Sequence, residues 1–340
     1  MPVKPSKGTR AGKPGLSIVV PLFNEALGLP GLHQRVVAVA GRIKEKRGIP
    51  IEIVYVNDGS SDDTQEVAQA LPAGPLDFQL ITLSRNFGKE AALLAGLDHA
   101  HLGAVLFMDG DGQHPPDLIE TLVKRWLEDG YDVVYTAKAH RENEPWLRRT
   151  GVHWFYALIN FGQRQQIPED AGDFRLLSPR AAEALRRMPE RNRFFKGLSS
   201  WIGFRQARVD YEPAPRAHGA TTWNLWTLIG FSIEGLTSFT VAPLRVASLL
   251  GLLVAVVALL FGVEILIETL VFGKDVPGYA SLVVGMMVIG GVQLLMIGVL
   301  GEYVGKLLSE IKARPVYFVA EHSVTPAKEE AEPRASSAAE

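Results

Sequence analysis

Cysteine is absent from this 340-residue chain, which excludes disulfides, thiolate metal sites and thiol nucleophiles. Neither sign of charge is in excess. Thirty-five Lys and Arg stand against 37 Asp and Glu, a formal net charge of −2, so no basic balance points to a nucleic-acid partner. No G-x-G-x-x-G fingerprint and no G-x-x-x-x-G-K-[ST] loop follows the first apolar strand, Leu16 to Pro21, so dinucleotide and P-loop chemistry are not expected. The N-terminal residues include Lys4, Lys7, Arg10 and Lys13, but no apolar stretch follows at once. Residues 1–15 therefore read as a disordered basic arm suited to anionic head groups, not as a secretory signal. No internal repeat is present.

What is abundant is apolar sequence, and it is unevenly placed. Val246 to Val263 and Tyr279 to Leu300 carry no charge, and each is close to the roughly 20 residues that cross a bilayer as helix. Two transmembrane helices are expected, over about 244–271 and 279–301. Arg245 precedes the first span, and Lys306, Lys312 and Arg314 follow the second. The positive-inside rule then puts both termini and the soluble domain in the cytoplasm. Glu264 and Glu268, near the outer end of the first span, read as solvated at the interface, with pairing between subunits of a homo-oligomer as the alternative. Asn224 to Thr240 is aromatic and poor in charge, which suits an interfacial helix. Residues 309–322 are expected to be a cytoplasmic segment with room for an added strand, and 323–340 a disordered tail.

Residues 16–223 alternate strands and helices. Strands are expected at Leu16–Pro21, Ile51–Val56, Phe78–Leu83 and Ala104–Met108, with helices at 30–47 and from about Glu90 to His101. This alternation predicts an α/β domain, a mostly parallel sheet with helices on both faces. Ligands in such sheets bind beyond the carboxyl ends of the strands. Each polar cluster here follows a strand: Asn24-Glu25, Asn57-Asp58-Gly59-Ser60, Ser84-Arg85-Asn86-Phe87-Gly88-Lys89 and Asp109-Gly110-Asp111-Gly112-Gln113.

The last cluster is the most informative. Two aspartates one residue apart on an extended backbone face the same way, and hard oxygen ligands suit Mg²⁺ or Mn²⁺ carrying substrate phosphates. Asp and Gly are also ordinary turn residues, so the cluster alone leaves both readings open.

Taken in order, Val20-Pro21-Leu22-Phe23-Asn24-Glu25, Val56-Asn57-Asp58-Gly59-Ser60-Ser61-Asp62, Ser84 to Lys89 and Met108 to Pro115 resemble the family 2 inverting glycosyltransferases of GT-A-like fold. The polyprenyl-phosphate subgroup, the dolichol-phosphate mannose synthases and bactoprenol glucosyltransferases, is the nearest in pattern. The resemblance implies a nucleotide pocket lined by Pro21, Asn24, Glu25, Asp58, Lys89 and Asp109. It implies a divalent metal, Mg²⁺ or Mn²⁺, on Asp109, Asp111 and Gln113. Asp173 or Asp170, in Asp170-Ala171-Gly172-Asp173, would be the acid on the acceptor side, and Arg148, Arg149 and Arg164 would meet the acceptor phosphate. Arg193, Trp201, Arg216 and His218 would contact the donor diphosphate or sugar. The plainer alternatives are a helix cap for Asn24-Glu25, a solvated lysine for Lys89, a solvated helix face for each arginine and core packing for Trp201. One departure stands out: Thr221-Thr222-Trp223 has Thr where relatives commonly carry Lys, so Arg216 and His218 would have to supply the positive charge.

The implied partners are a nucleotide sugar, UDP-glucose first, a polyprenyl phosphate and the bacterial inner membrane. GDP-mannose, a modified arabinose and N-acetylated sugars are alternatives as donor. A processive polysaccharide synthase and a non-catalytic membrane scaffold are alternatives of other classes. The Gln-x-x-Arg-Trp acceptor pattern of the synthases is not found.

Overall fold

Leu16, Ile18, Val20 and Leu22 of β1, Lys13–Leu22, enter one core with Leu29, Leu32, Val36, Val39 and Ile43 of α1, Leu29–Arg47. Of the intervening residues, Ser17 and Val19 are fully buried on the opposite face, because side chains alternate along a strand. A strand buried on both sides belongs inside a sheet covered by helices. The computed structural model describes residues 13–72, 74–138, 151, 156–157, 159–160, 168, 171–191, 193–212, 237, 240–272 and 278–327. It divides into two compact units: residues 1–149, 165–222 and 315–340, and residues 150–164 and 223–314.

The first unit continues with β2 (Ile51–Asn57), α2 (Thr64–Gln69), β3 (Asp77–Leu83), α3 (Lys89–His99), β4 (Leu102–Phe107), α4 (Leu118–Leu127) and β5 (Val133–Lys138). After the residues outside the description come β6 (Ala171–Leu177), α5 (Pro179–Arg186), α6 (Phe195–Trp201) and β7 (Gln206–Tyr211). The second unit contributes α7 (Ala242–Phe272) and α8 (Tyr279–Lys312), and β8 (Val319–Thr325) returns to the first. The sheet order is β7-β5-β6-β4-β1-β2-β3-β8. β6 and β8 run against the other six strands, so the sheet is mostly parallel, as expected. The chain leaves β1 toward β2 on one side and later returns to place β4 on the other. That is a topological switch point, where a crevice opens at the strands' carboxyl ends. α1, α2 and α4 share the main core, and α3 packs on β1 and β2 from the other face.

Two expected boundaries shift. Lys13 to Gly15 belong to β1, with Lys13 pairing Leu102 across a register shift, so the basic arm ends before them. At the other terminus β8 runs to Thr325, antiparallel to β3, so the strand takes residues 323–325 from the expected tail. Backbone pairing along an open edge draws in residues whose composition alone gives no strand pattern.

In the second unit α7 and α8 are long and apolar enough to cross a membrane. Their candidate spans are Ala242–Ile265 and Ser281–Lys312, with mean hydropathy 2.8 and 2.3 and nothing buried in the most apolar 18-residue stretch of either. Leu252, Leu253, Val256, Leu259 and Leu260 are exposed around α7. A helix in the core of a soluble domain would bury its apolar stripe.

At the amino ends of the strands, the buried Glu52 carboxylate joins three of them. Its Oε1 accepts from Ser17 Oγ at 2.5 Å and from the His101 amide at 2.7 Å, and its Oε2 accepts from Gln79 Nε2 at 3.0 Å. Removing it leaves buried donors without an acceptor. Glu52→Ala is expected to destabilise the protein by about 1–3 kcal/mol, read as a lower midpoint in chemical denaturation; an unchanged midpoint would show that the cluster carries no weight.

Candidate functional site

The loops after β1 and β2 are locked together before any ligand arrives. Asn24 adopts φ 57°, a left-handed conformation that asparagine tolerates. Its Oδ1 accepts from the Ser61 amide at 2.8 Å and from Ser61 Oγ at 3.2 Å. The amides of Asn24 and Glu25 donate to Ser60 Oγ and Thr64 Oγ1 at 3.0 and 2.8 Å. Asn24 is thus a loop clasp, and its amide oxygen is already committed to Ser61.

Asp58 carries the next link. Its buried carboxylate accepts from the amides of Phe87 and Gly88 at 2.8 and 2.9 Å, so it holds the loop that delivers Lys89. Burial raises its pKa above the usual carboxylate value, against the pull of those two amides and of Arg85. Gly59 permits the approach: with φ 63°, a β-carbon there would lie 2.4 Å from the Arg85 carbonyl carbon. The same loop is backed by the segment entering β8, where Phe318 O accepts from the Ser84 amide at 2.9 Å and the Phe318 ring meets Phe87. Asp58 therefore works first as a support for Lys89, a role that sequence pattern does not reveal.

Lys89 sits between two carboxylates. Its Nζ lies 2.6 Å from Asp109 Oδ1 and 2.5 Å from Asp173 Oδ2. The antiparallel register explains the meeting: Val105, Leu106 and Phe107 of β4 pair with Leu177, Leu176 and Arg175 of β6. Two residues further along, that register sets Asp109 opposite Asp173. Like charges facing each other across strands repel, and Lys89 neutralises them. Burial works to lower the Lys89 pKa, but Asp173 and Asp109 outweigh it and hold the amine well above its usual range. Asp173 has a second cation, Lys196 Nζ, 3.2 Å from its Oδ1. Burial alone would raise the Asp173 pKa; Lys196 and Lys89 instead hold it far below the usual carboxylate range. Asp173 is therefore a fixed anion and a poor proton acceptor.

The turn after β4 presents the aspartates. A β-carbon on Gly110 would lie 2.9 Å from the Pro21 carbonyl oxygen, so only glycine lets this turn cross the end of β1 beside Pro21 and Glu25. The Asp111 carboxylate accepts from the Gln113 amide at 3.0 Å. Buried His114 accepts from the Asp109 amide at 3.4 Å through Nδ1 and packs on Phe174 and Tyr211. Burial lowers the His114 pKa, while Asp109 and Asp111 pull it back up. Burial and the three aspartates, 109, 111 and 173, push Tyr211 up to about 12.

Asp109, Asp111 and Gln113 together offer hard oxygen donors on one turn. Among the described residues no three His, Cys, Asp or Glu side chains are grouped to hold a metal alone. Two carboxylates and an amide suit a Mg²⁺-like ion that keeps waters and shares substrate phosphates, so the donor set fits a metal arriving with a diphosphate.

Of the other expected residues, Trp201 is 63% exposed at the end of α6, which removes core packing as its role. The Arg193 guanidinium donates to the carbonyls of Glu190, Leu185 and Met188 at 3.0, 3.2 and 2.6 Å, tying down the chain around the end of α5. Arg148, Arg149, Arg164, Asp170, Arg216, His218 and the Thr221-Thr222-Trp223 departure lie outside the described residues. Lys196, Glu90, Arg175 and His114 escaped the sequence reading. Lys196 stands three residues from Arg193 in the same segment, and spacing gives no reason to choose between them.

Acids and lysines gathered at the carboxyl ends of parallel strands define an α/β enzyme site suited to a phosphorylated ligand. The family profile described as glycosyl transferase family 2 matches residues 17–186. The SfII prophage-derived bactoprenol glucosyl transferase of Shigella flexneri is 42% identical over 304 residues, covering 89% of this chain and 97% of that protein. An uncharacterised glycosyltransferase of Synechocystis sp. is 42% identical over 306 residues, covering 90% and 95%. A crystal structure of the glucosyl-3-phosphoglycerate synthase of Mycobacterium tuberculosis is similar at 17% identity with a TM-score of 0.44, over 66% of this chain and 78% of that one. The chain belongs to glycosyltransferase family 2.

The Asp173 charge should be visible in stability. Its folded pKa lies below the unfolded value, so its ionised form stabilises the fold above about pH 4 and loses that contribution as pH falls further. Asp173→Asn is expected to be less stable than wild type at pH 7, with the gap narrowing below about pH 4. A gap that does not change with pH would contradict the assignment.

Proposed function

We infer that this chain is a membrane enzyme that transfers glucose from a nucleotide diphosphate, UDP first, to the phosphate of a polyprenyl lipid, inverting the anomeric centre. The observation that carries the reading is the crevice in which Asp109, Lys89, Asp173 and Lys196 meet beside Asp111. The bactoprenol glucosyl transferases similar over nearly the whole chain support the sugar and the lipid. The two long apolar helices support a membrane location, with the soluble unit and both termini on the cytoplasmic side where arginine and lysine flank the spans.

The acceptor phosphate oxygen forms a bond to the anomeric carbon as the bond from that carbon to the donor's diphosphate oxygen breaks, and the nucleoside diphosphate leaves with the electron pair. A phosphate monoester has its second pKa near 6 and is mostly ionised at pH 7, so no proton has to be removed. This agrees with an Asp173 whose pKa Lys196 and Lys89 hold far down: it orients the sugar and the lysines and takes no proton. Asp109, Asp111 and Gln113 would hold a divalent ion, Mg²⁺ or Mn²⁺, which supplies Lewis-acid neutralisation of the diphosphate. Lys89, fixed through Asp58, is placed to share that negative charge. Pro21 and Glu25 border the turn from the β1 side and would line the nucleotide. Trp201 has an exposed ring free to stack on the sugar. Arg148, Arg149 and Arg164 would receive the acceptor phosphate, since guanidinium suits phosphate, and Arg216 and His218 the donor diphosphate.

Purified protein given Mg²⁺ or Mn²⁺, a short polyprenyl phosphate and a panel of nucleotide sugars is expected to form lipid-linked glucose from UDP-glucose. Asp111→Ala should lower turnover by about a hundredfold or more without changing the melting temperature. A polymer product, or no product with any donor, would overturn the reading.

A further inference from the structure

Glu90 is the neighbour of Lys89 in α3, but its carboxylate turns to α6. Its Oε2 accepts from the Phe195 amide at 3.0 Å, at the first residue of that helix. Two further contacts hold the same segment. The buried Phe195 ring meets Phe107 edge-on, with centroids 5.2 Å apart, two residues before Asp109. Arg175 of β6 donates to Phe195 O at 3.3 Å and to Ser199 Oγ, and its other nitrogen donates to Gly172 O at 2.6 Å. The start of α6 is thus fastened to α3, β4 and β6, the three elements that supply Lys89, Asp109 and Asp173. The next residue after this anchor is Lys196, whose amine reaches Asp173.

We propose that Glu90 is a positioning residue: it docks the start of α6 through the Phe195 amide and thereby sets Lys196 against Asp173. The cluster then holds two lysines against two facing aspartates, and Asp173 stays an anion that orients without accepting a proton. Trp201 rides on the same seven-residue helix, so its position follows from the same anchor. Burial, with Asp173 nearby, pushes the Glu90 carboxyl up to about 7, while the Phe195 amide and the two lysines pull it down. Either protonation state leaves an oxygen to accept from the amide, so the role is that of an acceptor and not of a charge.

The test uses the full chain in detergent or nanodiscs. Glu90→Ala is expected to speed amide hydrogen exchange across residues 193–200 and to lower turnover by about tenfold or more. Glu90→Gln keeps an acceptor oxygen and should restore most of both. Lys196→Met should lower turnover with exchange unchanged. If Glu90 acts through Lys196, the double variant is no worse than the poorer single one. Wild-type exchange in Glu90→Ala, a Glu90→Gln as damaged as Glu90→Ala, or losses that multiply in the double variant would each overturn the proposal. Should Glu90→Ala not fold, Glu90→Asp, which withdraws the carboxylate by one methylene, replaces it in every arm. Only the turnover arm rests on the proposed transfer. Without substrate, Glu90→Ala and Lys196→Met should each shrink the pH-dependent stability that Asp173 contributes, and a failure there would count against the docking and not against the transfer.

Discussion

The two-sided ion pair of Lys89 is the constraint on which the site depends. Asp109 follows β4 and Asp173 lies in β6, and the register of those strands, extended by two residues, sets them opposite each other; without a cation between them their repulsion would open the crevice or force one to take a proton. Lys89 meets both. It can do so because Asp58 hooks the two amides just before it, and Asp58 stays buried because the approach over Gly59 leaves no room for a side chain. A hydrogen bond in one loop thus sets the electrostatics of two others.

This arrangement also decides what kind of chemistry the crevice can perform. An acid meant to remove a proton near neutrality needs a pKa raised toward the working pH. Asp173 is driven the other way by its lysines. A transfer to an already ionised phosphate requires no base, so fixed charges that align donor and acceptor are sufficient. The acidic turn after β4 is built in the same spirit. Asp111 is preset by the Gln113 amide and Asp109 is steadied by His114 and Lys89, which limits reorganisation when a diphosphate binds.

Much of the scaffold could be read from the chain because it rests on short-range patterns. Apolar runs ending in polar clusters marked β1 to β4, and α1 falls within a residue of the expected 30–47. The absence of charge over the C-terminal runs marked α7 and α8. Asp109-Gly110-Asp111 was legible as an acidic turn ending β4, although its residues alone left a metal site and an ordinary turn both open. What escaped were partnerships. Asn24 and Asp58, expected at a nucleotide, hold neighbouring loops, Arg193 binds carbonyls at the end of α5, and Lys196 and Glu90 carried no pattern at all. Except for Arg193, whose carbonyl partners lie within eight residues, these partnerships join distant parts of the chain: Lys89 and Asp173 are 84 residues apart, and Glu90 and Phe195 are 105 apart.

The sequence by itself determined the element types, the sheet's parallel character, the two long apolar helices and the acidic turn, since period, length and residue chemistry act locally. Only the tertiary structure decided which charges meet. The insertion of β6 between β4 and β5 brings Asp173 to Asp109, and the packing of α6 on Glu90, Phe107 and Arg175 brings Lys196 to Asp173. Ion pairs form by distance in space, and that distance is set by strand order and register, which no local pattern encodes.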